Sequence, residues 1–208
     1  WDGSNWQIIF QRHLVYDGWS LVAEFDAVGD WTSADRTYVH GPRIDEVLAR
    51  FSPQATIFYH HDGLGSTVAL TDEAATPLEA YRYDAFGSPR VYDASGNPRP
   101  ESAYDTRFLF TGREWLPQLA LYDYRQRVLD PAIGRFLQPD PIRLSSGDAN
   151  LSRYVFNNPI SWIDPLGLCT GDPNIDDPEV IRRMEEAWQK TRRILHDDWR
   201  RSLWPKQD

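Results

Sequence analysis

Along the first 168 residues, short runs of β-branched and aromatic side chains alternate with Asp-Gly, Gly-Asp and Gly-Asn pairs, and no other feature limits the fold as strongly. Gln7–Phe10, Ser20–Phe25, Arg36–His40, Thr56–Tyr59, Thr67–Leu70 and Leu78–Tyr83 have the length and residue types of strands. Between them stand Asp17-Gly18, Gly29-Asp30, Asp62-Gly63 and Gly96-Asn97, residues that accept positive φ and close tight hairpins. An all-β body is expected. One stretch is ambiguous: Ile44, Val47, Leu48 and Phe51 fall at the i, i+3, i+4, i+7 spacing of a helix, inside a rhythm that otherwise belongs to strands.

The turn signals also repeat as a unit. An aromatic residue or His, then Asp, then Gly returns at Tyr16-Asp17-Gly18, at His61-Asp62-Gly63 and at Tyr83-Asp84-Ala85-Phe86-Gly87, which leads on to Tyr92-Asp93-Ala94-Ser95-Gly96. A strand–turn unit of this kind cannot bury its own face and must stack on its neighbours.

Composition narrows the class. The single cysteine, Cys169, excludes an internal disulfide framework and any cysteine-based structural zinc site. No apolar run reaches the roughly 18 residues of a membrane span. A net charge of −9 argues against a body that binds nucleic acid, because phosphate binding needs a basic surface. The first residue is Trp1, with no basic-then-apolar leader before it, so any export signal is expected elsewhere in a longer polypeptide. Residues 1–168 carry 14 Arg against 22 acids, whereas both lysines, Lys190 and Lys206, fall in a charged tail beyond them.

Six segments in order carry a resemblance. They are Tyr59-His60-His61-Asp62-Gly63-Leu64-Gly65-Ser66, Tyr81-Arg82-Tyr83-Asp84-Ala85-Phe86-Gly87, Phe108-Leu109-Phe110-Thr111-Gly112-Arg113-Glu114, Leu121-Tyr122-Asp123-Tyr124-Arg125, Asp130-Pro131-Ala132-Ile133-Gly134-Arg135-Phe136-Leu137 and Asp164-Pro165-Leu166-Gly167-Leu168. Together they resemble the RHS repeat-associated core domain of bacterial polymorphic toxins and Tc-toxin C components. The likeness is strongest over residues 56–168, and weaker YD-type repeats extend it through residues 1–55. The resemblance implies an all-β fold in which YD-repeat β-hairpins form the closing end of a spiral β-shell, followed by a C-terminal amphipathic α-helix. It implies a shell that encloses a C-terminal toxin segment, here residues 169–208, and a core that cuts its own chain after the Leu closing the motif. The implied partners are the rest of the shell in cis, an immunity protein for the toxin segment and components of a secretion apparatus. The implied location is secreted or at the bacterial cell surface.

The residues themselves suggest how such a cut could be made. Asp140-Pro141 and Asp164-Pro165 lie 24 residues apart, and a proline keeps the residue before it out of helical geometry. Pro165 and Gly167 around Leu166 could form a tight bend that presents the Leu168 carbonyl. Two carboxylates brought together share one proton, so one can activate water while the other protonates the leaving amine. Asp-Pro is also a common turn starter, and the residues alone leave that reading open. The resemblance selects the catalytic one. Pro159 through Leu168 matches the Pro–four residues–Asp-Pro-any-Gly-Leu signature at Pro159, Asp164, Pro165, Gly167 and Leu168, and Asp140 matches the first aspartate of the pair. Nearby Arg135 is expected either to hold a carboxylate ionised or to bind the carbonyl oxygen, and would serve equally as a structural ion-pair partner. The expected cleavage site is Leu168–Cys169. A rival is attack by Cys169 on the Leu168 carbonyl, with no histidine near it in sequence.

No cofactor and no metal are expected. His60 and His61 are adjacent in a strand and point to opposite faces, so they cannot converge on an ion. The Trp and Tyr residues could bind sugars, which would make the chain an adhesive shell that is not cut, although in a β-shell alternate aromatics usually pack inward. In the tail, Asp177, Pro178 and Glu179 are a helix start, and Val180, Met184, Trp188, Thr191, Leu195 and Trp199 make one apolar stripe of a helix ending near Leu203.

Overall fold

A computed structural model describes residues 12–26, 33–142 and 148–168. The expected strand at Gln7–Phe10, the Gly29-Asp30 turn, Cys169 and the tail helix lie outside the described residues. Nine antiparallel strands form one meander in chain order: β1 (Arg12–Asp17), β2 (Ser20–Asp26), β3 (Arg36–His40), β4 (Val47–Phe51), β5 (Thr56–His61), β6 (Thr67–Thr71), β7 (Pro77–Tyr83), β8 (Pro89–Asp93) and β9 (Pro98–Arg99). A second, four-stranded antiparallel sheet follows, made of β10 (Glu114–Leu116), β11 (Leu121–Asp123), β12 (Val128–Asp130) and β13 (Arg135–Phe136). The ambiguous stretch is a strand, β4, with Val47 buried on one side and Leu48 and Phe51 exposed. Its helix-like spacing reflects apolar residues placed on both faces of a strand.

Two of the three repeated signals, at Asp62 and Asp84, share one turn structure with Asp72 and Asp93, whereas Asp17-Gly18 belongs to a tighter hairpin in which Asp17 pairs with Ser20. After β5, β6 and β7, and at the end of β8, the carboxylates of Asp62, Asp72, Asp84 and Asp93 each accept the backbone amides two and four residues on, at 2.8–3.0 Å. The residue three places after each Asp, namely Gly65, Ala75, Gly87 or Gly96, takes positive φ and donates its amide back to the Asp carbonyl. The aspartate therefore does the work of the turn, and the aromatic before it belongs to the strand.

Strand alternation decides what faces the core. Leu21, Tyr38, Ile57, Tyr59, Leu70, Tyr81 and Val91 of the first sheet meet Tyr122, Tyr124, Leu129 and Phe136 around the second, with Phe108–Phe110 wedged between them. Tyr38, Tyr59 and Tyr81 pack inward, whereas Tyr16 of the first repeated unit is exposed.

Charges are buried as well. Glu24 is buried and accepts Tyr38 Oη at 2.5 Å, Arg12 at 2.8 Å and Arg107 at 3.1 Å. Burial alone would raise its carboxyl, but Arg107, the Tyr38 hydroxyl, Arg12 and Arg36 outweigh burial and hold it below the usual carboxylate range. Glu79 binds Tyr81 Oη at 2.5 Å, Ser102 Oγ at 2.7 Å and the Ala103 amide at 2.7 Å. Such pairs tie the segment between the two sheets down onto the meander.

Candidate functional site

The end of the described chain is a tight turn held from three sides. Asp164, Pro165, Leu166, Gly167 and Leu168 are all buried. The Gly167 amide donates to the Asp164 carbonyl at 3.2 Å, and the Leu168 amide donates to Asp164 Oδ1 at 2.9 Å. Gly167 has φ +64°, and a β-carbon there would lie 2.5 Å from the Tyr124 carbonyl oxygen, so only glycine fits this bend. Pro159, fixing the signature's start, is buried one turn before it.

Both aspartates named from the sequence come to one place. Asp164 is 0% exposed and Asp140 is 2% exposed. Each offers an oxygen to the same nitrogen, Nη2 of Arg127: Asp164 Oδ2 at 3.0 Å and Asp140 Oδ2 at 3.3 Å. The Asp140 amide donates to the Leu151 carbonyl at 2.8 Å, and Asp140 Oδ1 accepts the Ile142 amide at 2.9 Å. Asp140 Oδ2 is buried and, apart from the Arg127 contact, accepts no hydrogen bond among the described residues. Burial pushes the Asp140 carboxyl up, with Arg127 and the Ile142 amide acting against it and Asp164 adding to the rise.

Arg127 is the organiser, and sequence reasoning missed it. Its side chain is 2% exposed. Nε donates to the Gly167 carbonyl at 2.6 Å, Nη1 to the Leu151 carbonyl at 3.1 Å and Nη2 to Asp164 at 3.0 Å. The guanidinium lies 3.7 Å from the centroid of the Phe136 ring. A flat fork of five donors suits three acceptors in different directions, which a lysine could not serve at once.

Arg135 does not take this part. It occupies β13 next to Phe136, and successive residues of a strand face opposite ways. Phe136 is buried and Arg135 is exposed, so the arginine expected at the aspartates points away from them. Arg125 and Arg127 fall in the bend just before β12, where sequence spacing gives no sign of which side they face.

Leu166 and Leu168 pack together with Trp19 from the β1–β2 turn, Ile44 from the β3–β4 turn and Ile142. The residue on the amino side of the expected cut is thus seated in an apolar pocket. His60 and His61 face opposite sides of β5: His60 is exposed, and His61 stacks on Tyr59 with ring centroids 6.5 Å apart. Among the described residues no three or more His, Cys, Asp or Glu side chains are grouped to hold a metal ion, and no helix is long and apolar enough to cross a membrane.

Comparison with known proteins concerns the chain as a whole. No family model matches the chain. The chain is 30% identical over 158 residues to the tRNA3(Ser)-specific nuclease WapA of Bacillus spizizenii, a match covering 74% of the chain and 6% of that protein. It is 29% identical over 179 residues to the probable deoxyribonuclease RhsA of Dickeya dadantii, covering 81% of the chain and 10% of the relative. Among solved structures it shares the fold of a crystal structure of TcdB2-TccC3, with a TM-score of 0.57 at 20% identity, covering 76% of the chain and 8% of that one. The chain therefore spans about a tenth or less of each of these three proteins.

Proposed function

This chain belongs with the Rhs and WapA polymorphic-toxin proteins as an RHS repeat-associated core, and from that premise we propose that it ends a toxin-enclosing shell and cuts its own backbone between Leu168 and Cys169. The observation that carries the proposal is the convergence of Asp140 and Asp164 on one nitrogen of Arg127, with the Leu168 amide bonded to Asp164.

Asp140, whose carboxyl is pushed up by burial and whose Oδ2 meets only Arg127, is the carboxyl that carries the proton in the reacting form. Asp164 takes a proton from a water molecule, and the hydroxyl adds to the Leu168 carbonyl carbon. Asp140 gives its proton to the leaving nitrogen, the C–N bond breaks, and the products are a Leu168 carboxylic acid and a free Cys169 amine. Arg127 contributes charge and position: it spaces the carboxylates and grips the Gly167 carbonyl next to the cut. Leu166 and Leu168, held by Trp19, Ile44 and Ile142, fix the substrate strand without added entropy at the moment of reaction.

On this view residues 1–55 supply repeats of the shell, 56–168 the core, and 169–208 the start of the released segment. The two relatives differ in activity, one a tRNA nuclease and the other a probable deoxyribonuclease, which fits a common core serving varied cargo. The rest of the shell acts in cis, an immunity protein would protect the producing cell, and a secretion apparatus would export the whole.

The test is intact mass spectrometry of the denatured chain. Two masses meeting between Leu168 and Cys169 are expected in the wild type, and one uncut mass in Asp164→Asn and in Asp140→Asn. Equal cutting in both variants would sink the aspartyl mechanism, and loss of cutting in Cys169→Ala would transfer the role to the cysteine.

A further inference from the structure

The cleavage turn is gripped by a second arginine that the two aspartates do not involve. Arg125 donates through Nη1 to the Pro165 carbonyl, inside the turn that ends at Leu168. The same guanidinium is paired with Asp45, through Nη1 to Oδ2 at 3.1 Å and through Nη2 to Oδ1. Asp45 lies in the turn between β3 and β4, 80 residues earlier in the chain. Its carboxylate also accepts Arg113 Nη1 at 3.0 Å. Burial would raise the Asp45 carboxyl, but Arg125 and Arg113 overcome it and hold it below the usual range.

The arrangement is directional. Burial and the neighbouring Arg113 both act against the charge on Arg125, and Asp45 is the group that keeps it in place. Gly112, with φ +70°, lies so close to the Asp45 carbonyl that a side chain there would collide with it, so the β3–β4 turn is seated firmly on the segment before β10. Its other residue, Ile44, packs on Leu166 and Leu168, and Trp19, whose ring lies 4.9 Å from the Arg125 guanidinium, does the same.

Building on the self-cleavage proposed above, we infer that Asp45 is a positioning residue for the cut, acting through Arg125 on the Pro165 carbonyl. Cleavage then waits on the docking of the β3–β4 hairpin. Without the Asp45 charge, two arginines are left crowded in a buried site, Arg125 turns away, and the turn carrying Asp164 loses one of its holds. Displacement of a reacting strand by about 1 Å can lower a rate about 100-fold. Asp45 has φ +60°, a geometry asparagine accepts readily, so Asp45→Asn removes the charge and keeps the turn.

The experiment follows the uncut-to-cut conversion of the full 208-residue chain by mass after dilution from denaturant. It compares wild type, Asp45→Asn, Arg125→Lys and a control, Leu70→Ala, which opens a hole in the same core away from the turn. The expected result is a rate about 10- to 100-fold lower in Asp45→Asn and in Arg125→Lys, by a constant factor across the pH range in which Asp45 stays ionised in the wild type. Leu70→Ala should lower the melting temperature without a comparable fall in rate. Wild-type rates in both Asp45→Asn and Arg125→Lys overturn the positioning role and leave the protease reading standing. So does an equal slowing in Leu70→Ala, which would mean that loss of stability alone explains it. A wild-type chain that is never cut removes the protease reading and this inference with it.

Discussion

Replacing Arg127 by Met separates the cation from the rest of the site. Met retains an apolar stem against Phe136 and removes every donor. Two carboxylates that are essentially inaccessible to water then lose the positive charge they share, and the Gly167 and Leu151 carbonyls lose their partners. Removing one side of a buried ion pair costs about 3–5 kcal/mol, and that is the expected loss at neutral pH. Arg127→Lys keeps the charge but has one nitrogen where three were used, so it forgoes at least one charge-assisted hydrogen bond, about 1.5–3 kcal/mol. The pH dependence gives a sharper check. In Arg127→Met the buried carboxylates cannot both stay ionised, so the folded variant binds more protons than the unfolded chain near neutrality, and its stability falls as pH rises. The deficit against wild type should therefore be largest at about pH 8 and shrink toward about pH 5. Urea unfolding followed by tryptophan fluorescence measures it, with the covalent state of each sample checked by mass. A deficit below about 1 kcal/mol at about pH 8, or one that does not change with pH, would refute the shared-cation argument.

Two further outcomes follow from the hairpins and the buried acid. Ala75 holds the left-handed position that glycine fills in the other three Asp-led turns, so Ala75→Gly should stabilise the chain by about 0.5–1 kcal/mol in the same assay, and a loss would contradict the turn geometry. Glu24→Gln should cost about 3–5 kcal/mol at neutral pH because Arg12 and Arg107 lose their buried counter-charge. Since the Glu24 carboxyl is held low when folded, its contribution is present above the ordinary glutamate range and fades as pH falls through the folded value; the gap between variant and wild type must close in acid, not in base.

The meander was legible where one face is buried. In β5 the β-branched and aromatic residues marked a strand, with Ile57 and Tyr59 buried, although nothing in residue type marks Phe58 as the exposed one. Strand β4 was not, because Leu48 and Phe51 put apolar surface on the outside while the charged Arg50 is buried. The strands β10 to β13 have two or three residues each, too few to display any period. At the site, the Asp-Pro steps drew attention to Asp140 and Asp164, but it was the resemblance that singled them out from ordinary turn starters. The arginine was misassigned for a related reason: Arg135 is five residues from Asp140, but strand parity turns it outward, while Arg127 reaches Asp164 across 37 residues. Asp45, Arg113 and Arg125 read as surface charges in a sequence, since only the folded chain shows that both arginines pair with the one aspartate in its interior.

In the large sheet each strand bonds only to the strands just before and after it in the chain. Partners that are close in sequence meet quickly, because little loop entropy is lost in bringing them together. A chain emerging amino end first from a ribosome or a narrow channel can therefore zip up one hairpin at a time without waiting for what is still to come. The cation clusters obey the opposite rule: Glu24 must wait for Arg107, Asp45 for Arg125 and Arg127 for Asp164. Order of emergence thus becomes order of assembly, and among the described residues the turn at Leu168 is the last to be laid.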